Sequence, residues 1–191
     1  MFTTLLAYVM IGFFFAIDRF ARQGKQAKSL ERGIYDRGST GLLTVAFVIA
    51  AAMLLAAPFL NLLGIGSLTQ VLLIGWLGLV LMALSLMMRL WANKALGMFY
   101  TRTLRVIDDH HVVQSGPYRV VRHPGYLGVI LMWVGGGLAV LNVISVIVAL
   151  ISMLIAYMYR IRVEERMLAV TQGDEYRDYQ AHTWRLIPLL Y

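Results

Sequence analysis

The chain has 191 residues, of which 60% are hydrophobic and 14% charged. A soluble domain is nearer half apolar and a quarter charged, so this composition, with a mean hydropathy of +0.71, belongs to a single integral membrane domain. There is no cysteine, which excludes disulfides, thiolate metal sites and a cysteine nucleophile; the net charge of +7 reads as membrane topology and anionic-lipid contact rather than nucleic-acid binding.

Residues 2–17, FTTLLAYVMIGFFFAI, form a first apolar run of marginal length for a membrane span. Positive charges follow this run instead of preceding it, so it lacks the order of a signal peptide. Residues 18–40 are polar and read as a surface helix plus loop, a solvated connector. Residues 41–64 and 68–88 are two charge-free spans, and the break between them, NLLGIGS, is short and uncharged.

Residues 89–125 begin by continuing the third span, and Gly97 is expected to end or bend that helix. Beyond it, TLRVI and HVV have β-like composition and SGPY is turn-like. Pro117 and Pro124 bias Gly116 and His123 toward extended backbone. Irregular backbone beside a membrane must be covered by protein or used on a ligand. Two readings of GPYRVVRHPGYLG, residues 116–128, are therefore open. One is a helix entry, with Pro124 in the first turn, Arg119 and Arg122 snorkelling to headgroups, and Tyr118 and Tyr126 in the aromatic belt. The other is a ligand site. His110, His111 and His123 follow no metal-ligand spacing, and no metal is expected.

Residues 126–159 carry no charged side chain. That is too long for one crossing of ~30 Å of hydrocarbon and suits a tight helical hairpin turning at Asn142. The segment RIRVEERMLAVTQGDEYRDYQ then continues with helical spacing, with Gly173 as a C-cap and GDEYRDY as an exposed amphipathic helix. Glu164 has Ile161, Met167 and Leu168 at i−3, i+3 and i+4, which puts it on the packed face. A carboxylate there needs a partner. Arg160, four residues back, is one candidate and a ligand cation is the other. Glu165 is more ambiguous, with Ile161, Arg162 and Leu168 around it. Trp184, Pro188 and the terminal Leu-Leu-Tyr are expected to lie back against the bilayer.

These runs predict an all-α integral membrane protein of five transmembrane helices, including the C-terminal helical hairpin. With the N-terminus outside, the inner segments are 18–40, 89–125 and 160–191. All 17 Lys and Arg, and all 10 Asp and Glu, fall in those three segments. The positive-inside rule then puts them, and the C-terminus, in the cytoplasm. No charge lies within a predicted span, which argues against an ion carrier. A non-enzymatic scaffold would leave the inward Glu164 and the crowded 110–126 segment unexplained.

HHVVQSGPYRVVRHPGYLG, then a hairpin, then RIRVEE and GDEYRDY, resemble the isoprenylcysteine carboxyl methyltransferase family and its prokaryotic relatives over roughly residues 90–188. The resemblance implies a single membrane-embedded domain with a cytoplasmic pocket for S-adenosylmethionine. By the same resemblance, His110, His111, Val112, Val113, Tyr118, His123, Pro124 and Tyr126 are cofactor contacts. Glu164 holds the cofactor with Glu165 beside it, and Arg160 joins Glu164 in substrate binding or catalysis. Thr103 falls near a further contact position. The residue types agree with this chemistry. Glu164 can meet a cation, an Arg or backbone N–H can meet a carboxylate, and Tyr and His rings can face adenine and sulfonium. Gly135, Gly136 and Gly137 would let helix backbones approach closely. The implied reaction moves a methyl group to a lipophilic or small-molecule acceptor, an isoprenylcysteine-type carboxylate first. A phospholipid amine or a thiol is the alternative within the same chemistry.

Overall fold

The computed structural model describes residues 2–20, 35–97 and 112–191. Six α-helices run through them: α1 (Phe2–Phe20), α2 (Ser39–Leu62), α3 (Leu72–Leu96), α4 (Pro124–Ala139), α5 (Val143–Thr171) and α6 (Gly173–His182). A 3₁₀ turn, Gly116–Arg119, precedes α4. Among the described residues there is no strand, only isolated bridges. Three helices, α2, α3 and α5, are long and apolar enough to cross a membrane. The apolar runs of α1 and α4 are shorter, at Phe2–Ile17 and Pro124–Ala139.

The hairpin expected at Asn142 is present, between α4 and α5. Asn142 caps α5, its side chain accepting a hydrogen bond from the Ser145 backbone N–H at 3.0 Å. The α2–α3 turn lies at the same end: Leu68 N–H donates to Leu141 O and Val143 N–H to Gly66 O. Two turns thereby satisfy each other's backbone where water would otherwise be needed.

Short α4 is the centre of the bundle, enclosed by its neighbours. Lipid offers no hydrophobic drive for helices to associate, so close backbone approach has to supply the packing. Gly135, Gly136 and Gly137 each serve a different helix. A Cβ at Gly135 would meet Met82 Cγ of α3 at 2.8 Å and Gly78 O at 2.9 Å. At Gly136 it would meet Leu54 of α2 at 2.8 Å, and at Gly137 the backbone of Val146 in α5 at 2.8 Å. Gly78 answers from α3, where a Cβ would come within 2.5 Å of Ala139 N. Further along the same seam, Gly128 faces Ser85 and Gly125 faces Arg89. The α3 and α4 helices are therefore antiparallel and in register down to the charged end of the bundle.

Helix α5 carries that end. Its 29 residues make a rod of about 43 Å, longer than ~30 Å of hydrocarbon. Residues 143–159 are uncharged, and Arg160, Arg162, Glu164, Glu165 and Arg166 crowd its last three turns. Gly173, at φ +58, ends it as expected.

Candidate functional site

The charged end holds two adjacent clusters, one around each glutamate. Glu165 is 5% exposed. Arg122 Nε donates to its Oε1 at 2.8 Å, His123 Nε2 lies 3.4 Å from the same oxygen, and Arg185 Nε donates to Oε2 at 2.9 Å. Arg122 also donates to the carbonyls of Gln180 and Thr183. Glu165, the more ambiguous of the pair by sequence, is thus the buried one, and its partners are protein cations. Arg122 does not snorkel: its side chain is 7% exposed and turned inward. Three charged groups and hydrogen bonds from several elements make this geometry affordable in a low-dielectric place.

Glu164 is half-buried. The Tyr126 hydroxyl donates to its Oε2 at 2.5 Å, and the charge of Arg160 acts on the same carboxylate. The Tyr126 ring stacks on His123, with centroids 5.3 Å apart and an interplanar angle of 1°, and meets Tyr157 at 4.8 Å. The helix partner proposed for Glu164, Arg160, is shared with a second carboxylate. Its Nη1 contacts Asp36 Oδ1 at 3.0 Å, Ser39 Oγ at 2.8 Å and Thr40 Oγ1 at 3.1 Å. The guanidinium also interacts with the Tyr126 hydroxyl and, electrostatically, with Glu164.

Asp36, at the end of the segment read as a solvated connector, is 1% exposed. Burial alone would push its carboxyl up. Hydrogen bonds from Thr40 and Ser39, with the charge of Arg160, outweigh that and hold it below the usual carboxylate range. The connector therefore closes on the bundle at its C-terminal end, because α2 needs an N-terminal cap and Arg160 needs a counterion.

The irregular backbone before α4 is covered by protein. Trp184 N–H donates to Val120 O, Arg122 N–H to Trp184 O, and His123 N–H to Arg185 O. The C-terminal tail thus lies along residues 120–123, with Trp184 42% exposed. Tyr118 is buried, and its carbonyl accepts from the Tyr179 hydroxyl at 2.7 Å. Pro124 opens α4 as its first residue. Val112 reaches the site's edge, its N–H donating to Glu175 at 3.3 Å; Val113 beside it is half-buried. His110, His111 and Thr103 lie outside the described residues.

His123, Tyr126, Arg160, Glu164 and Glu165 are therefore brought together. Tyr118 and Pro124 frame them. Sequence reasoning missed Asp36, Arg122 and Arg185 as partners, and it missed Asn93 and Arg89. Arg89 is buried in α3 and donates to Gly125 O at 3.2 Å. Asn93, one turn further on the same face, is 7% exposed, and neither polar atom of its side chain has a partner among the described residues. The Tyr176 hydroxyl of α6 is likewise buried and unpaired. Burial and the negative charges of Glu165 and Glu164 push that phenol up, and burial pushes Tyr179 up to about 12. Among the described residues no His, Asp and Glu group is arranged to hold a metal.

Among the described residues, a bundle of membrane-length helices thus gathers charged side chains at one end, around paired carboxylates and stacked rings. The model of the isoprenylcysteine carboxyl methyltransferase family matches residues 76–170. The "Probable protein-S-isoprenylcysteine O-methyltransferase" of Oryza sativa subsp. indica is 25% identical over 151 residues, covering 78% of this chain and 79% of that protein. The protein-S-isoprenylcysteine O-methyltransferase of Dictyostelium discoideum is 30% identical over 115 residues, 59% of this chain and 48% of that one. The solved structure of a eukaryotic intramembrane Ras methyltransferase, an isoprenylcysteine carboxyl methyltransferase, superposes with a TM-score of 0.72 at 21% identity. It covers 98% of this chain and 68% of that one. The chain belongs to the isoprenylcysteine carboxyl methyltransferase family and is an integral membrane methyltransferase.

Proposed function

We propose that this methyltransferase takes its methyl group from S-adenosylmethionine and delivers it to the carboxylate of an isoprenylcysteine-type acceptor at the membrane boundary. The observation that carries this reading is the contrast between neighbouring glutamates. Glu165 is paired with Arg122 and Arg185, whereas Glu164 meets the Tyr126 hydroxyl beside stacked rings and shares Arg160 with Asp36. A carboxylate that shares its cation with a second carboxylate, against aromatic faces, suits a ligand cation. The Arg122 and Arg185 side suits a carboxylate.

S-adenosylmethionine, when bound, supplies a methyl carbon activated by its sulfonium. Glu164, Tyr126 and His123 would hold that cationic part, and Arg160 would lie at the acceptor's edge of the same group. Val112, Val113, Tyr118 and Pro124 shape the wall on the α4 side, and His110 and His111 are assigned to it by family resemblance. An acceptor carboxylate is ionised near neutrality, so no residue here has to remove a proton. The protein's tasks are to place two opposite charges in line and to exclude water. Enclosed α4 and the covering tail do the second.

The charge distribution favours five membrane crossings, with α1 and α4 completing the set, the N-terminus outside, and the site and C-terminus in the cytoplasm. Helix α4 need not meet lipid along its whole length, because α2, α3 and α5 surround it.

The test is transfer of labelled methyl from S-adenosylmethionine by purified protein in detergent, offered an N-acetyl prenylcysteine, a phospholipid amine and a small thiol. Methylation of the prenylcysteine carboxylate is expected to exceed the others. Glu164→Gln is expected to weaken donor binding by about tenfold. Transfer only to the amine or the thiol would overturn the acceptor assignment, and undiminished donor binding in Glu164→Gln would overturn the site.

A further inference from the structure

Arg160 stands between two carboxylates. On its own helix, Glu164 is at i+4, the spacing at which an arginine and a glutamate pair readily. From a segment 124 positions away in sequence, Asp36 reaches the same guanidinium at 3.0 Å, with side chains 3% and 2% exposed. Ser39 and Thr40 add hydroxyl contacts, and both hydroxyls also donate to Asp36, at 3.1 and 2.5 Å. Asp36 and the first turn of α2 thus form a holder for one cation.

The charge count shows what the holder does. With Asp36 present, Arg160, Asp36 and Glu164 sum to one negative charge beside the Tyr126–His123 stack. Without it, Arg160 and Glu164 cancel. We propose that Asp36 is a positioning residue for methyl-donor recognition: by sharing Arg160 with Glu164 it leaves the three groups with one net negative charge and so tunes the site to a cationic ligand. Asp36 lies outside the residues matched by the family model, which start at 76. This inference rests on the reading that Glu164 faces the sulfonium of S-adenosylmethionine.

The product S-adenosylhomocysteine shares the adenosine and amino-acid parts of the donor but has a neutral thioether. The ratio of the two affinities therefore reports the field at the sulfonium, and general damage to the pocket lowers both alike. In purified full-length protein, both ligands are titrated calorimetrically against wild type, Asp36→Asn, Asp36→Glu and the double variant Asp36→Asn with Arg160→Gln. Asp36→Asn is expected to lose about tenfold in affinity for S-adenosylmethionine and less than about threefold for the thioether. Asp36→Glu should restore most of the discrimination. The double variant should restore it as well, because no loose guanidinium remains to cancel Glu164.

An unchanged ratio in Asp36→Asn, or a double variant as poor as the single one, would overturn the inference. Wild type that binds neither ligand would instead overturn the donor assignment itself. Should Asp36→Asn not fold, Ser39→Ala with Thr40→Val loosens the same guanidinium without stranding it. A ratio lowered about threefold is then expected, and an unchanged one counts against the proposal.

Discussion

Asn142 and Asn93 are the same side chain at opposite ends of the bundle, and their surroundings could hardly differ more. Asn142 is fully buried and every polar atom of its carboxamide is used. Its Nδ2 donates to Asn61 Oδ1 at 2.8 Å and to Ile65 O at 2.9 Å, and its Oδ1 accepts from Ser145. Asn61 in turn donates to Val140 O at 2.8 Å. Asn93 is almost as buried and uses neither atom. A buried amide is worth keeping only when it is satisfied. The hairpin-turn end is a finished structural joint. The charged end contains buried polar groups without a partner among the described residues, and that asymmetry is what the proposed site has to explain.

The largest effect that can test this contrast is at Glu165. Replacing it with Ala strands Arg122 and leaves Arg185 without its anchor, and is expected to lower stability by about 3–5 kcal/mol. Thermal unfolding in detergent measures this. A loss below that of any hairpin-turn variant would mean that Glu165 is not the structural half of the glutamate pair. Next in size is Asn142→Ala, which removes the partner of the Asn61 Oδ1, of the Ile65 carbonyl and of the Ser145 N–H at the start of α5. A loss of about 2–3 kcal/mol is expected, with donor affinity within about twofold of wild type. A joint that proved to control donor affinity would erase the distinction between the two ends.

Much of this was legible in the sequence. The charge-free runs gave α2, α3 and α5, and the uncharged stretch 126–159 gave the hairpin with its turn at Asn142. Gly97, at φ +53, and Gly173, at φ +58, stand where helices end. His123, Tyr126 and Glu164, grouped through the family resemblance rather than through local spacing, lie side by side in the structure. The partners were not legible. Arg160 meets Asp36 across 124 positions, and Glu165 meets Arg122 across 43. No local pattern encodes such pairings. The glutamates' relative burial was missed for a related reason. Helix α5 is apolar on every side up to residue 159, so it has no polar stripe from which the inward face could be projected onto residues 164 and 165.

Two smaller predictions sharpen the contrast at the charged end. Asn93→Leu keeps the branched shape and removes both unpaired groups, so ligand-free stability should rise by about 1 kcal/mol, opposite in sign to Asn142→Ala. Methyl transfer to a prenylcysteine acceptor should meanwhile fall about tenfold if the carboxamide serves a ligand. A variant both more stable and fully active would show that Asn93 is merely a tolerated defect.

Tyr176→Phe gives the smallest change. Its ring is 2% exposed and packs at 6.0 Å against Tyr179, and Phe preserves that contact. Its hydroxyl has no partner, and burial beside two carboxylates keeps it protonated, a permanent donor, throughout the physiological range. Removing it should therefore shift stability by no more than ~0.5 kcal/mol. Tyr179 supplies the internal control on the same helix, because its hydroxyl is bonded to Tyr118 O at 2.7 Å. Tyr179→Phe should lose about 1 kcal/mol. Equal losses in the two variants would show that Tyr176 has a partner in solution and would remove one of the unfinished groups on which the asymmetry between the two ends depends.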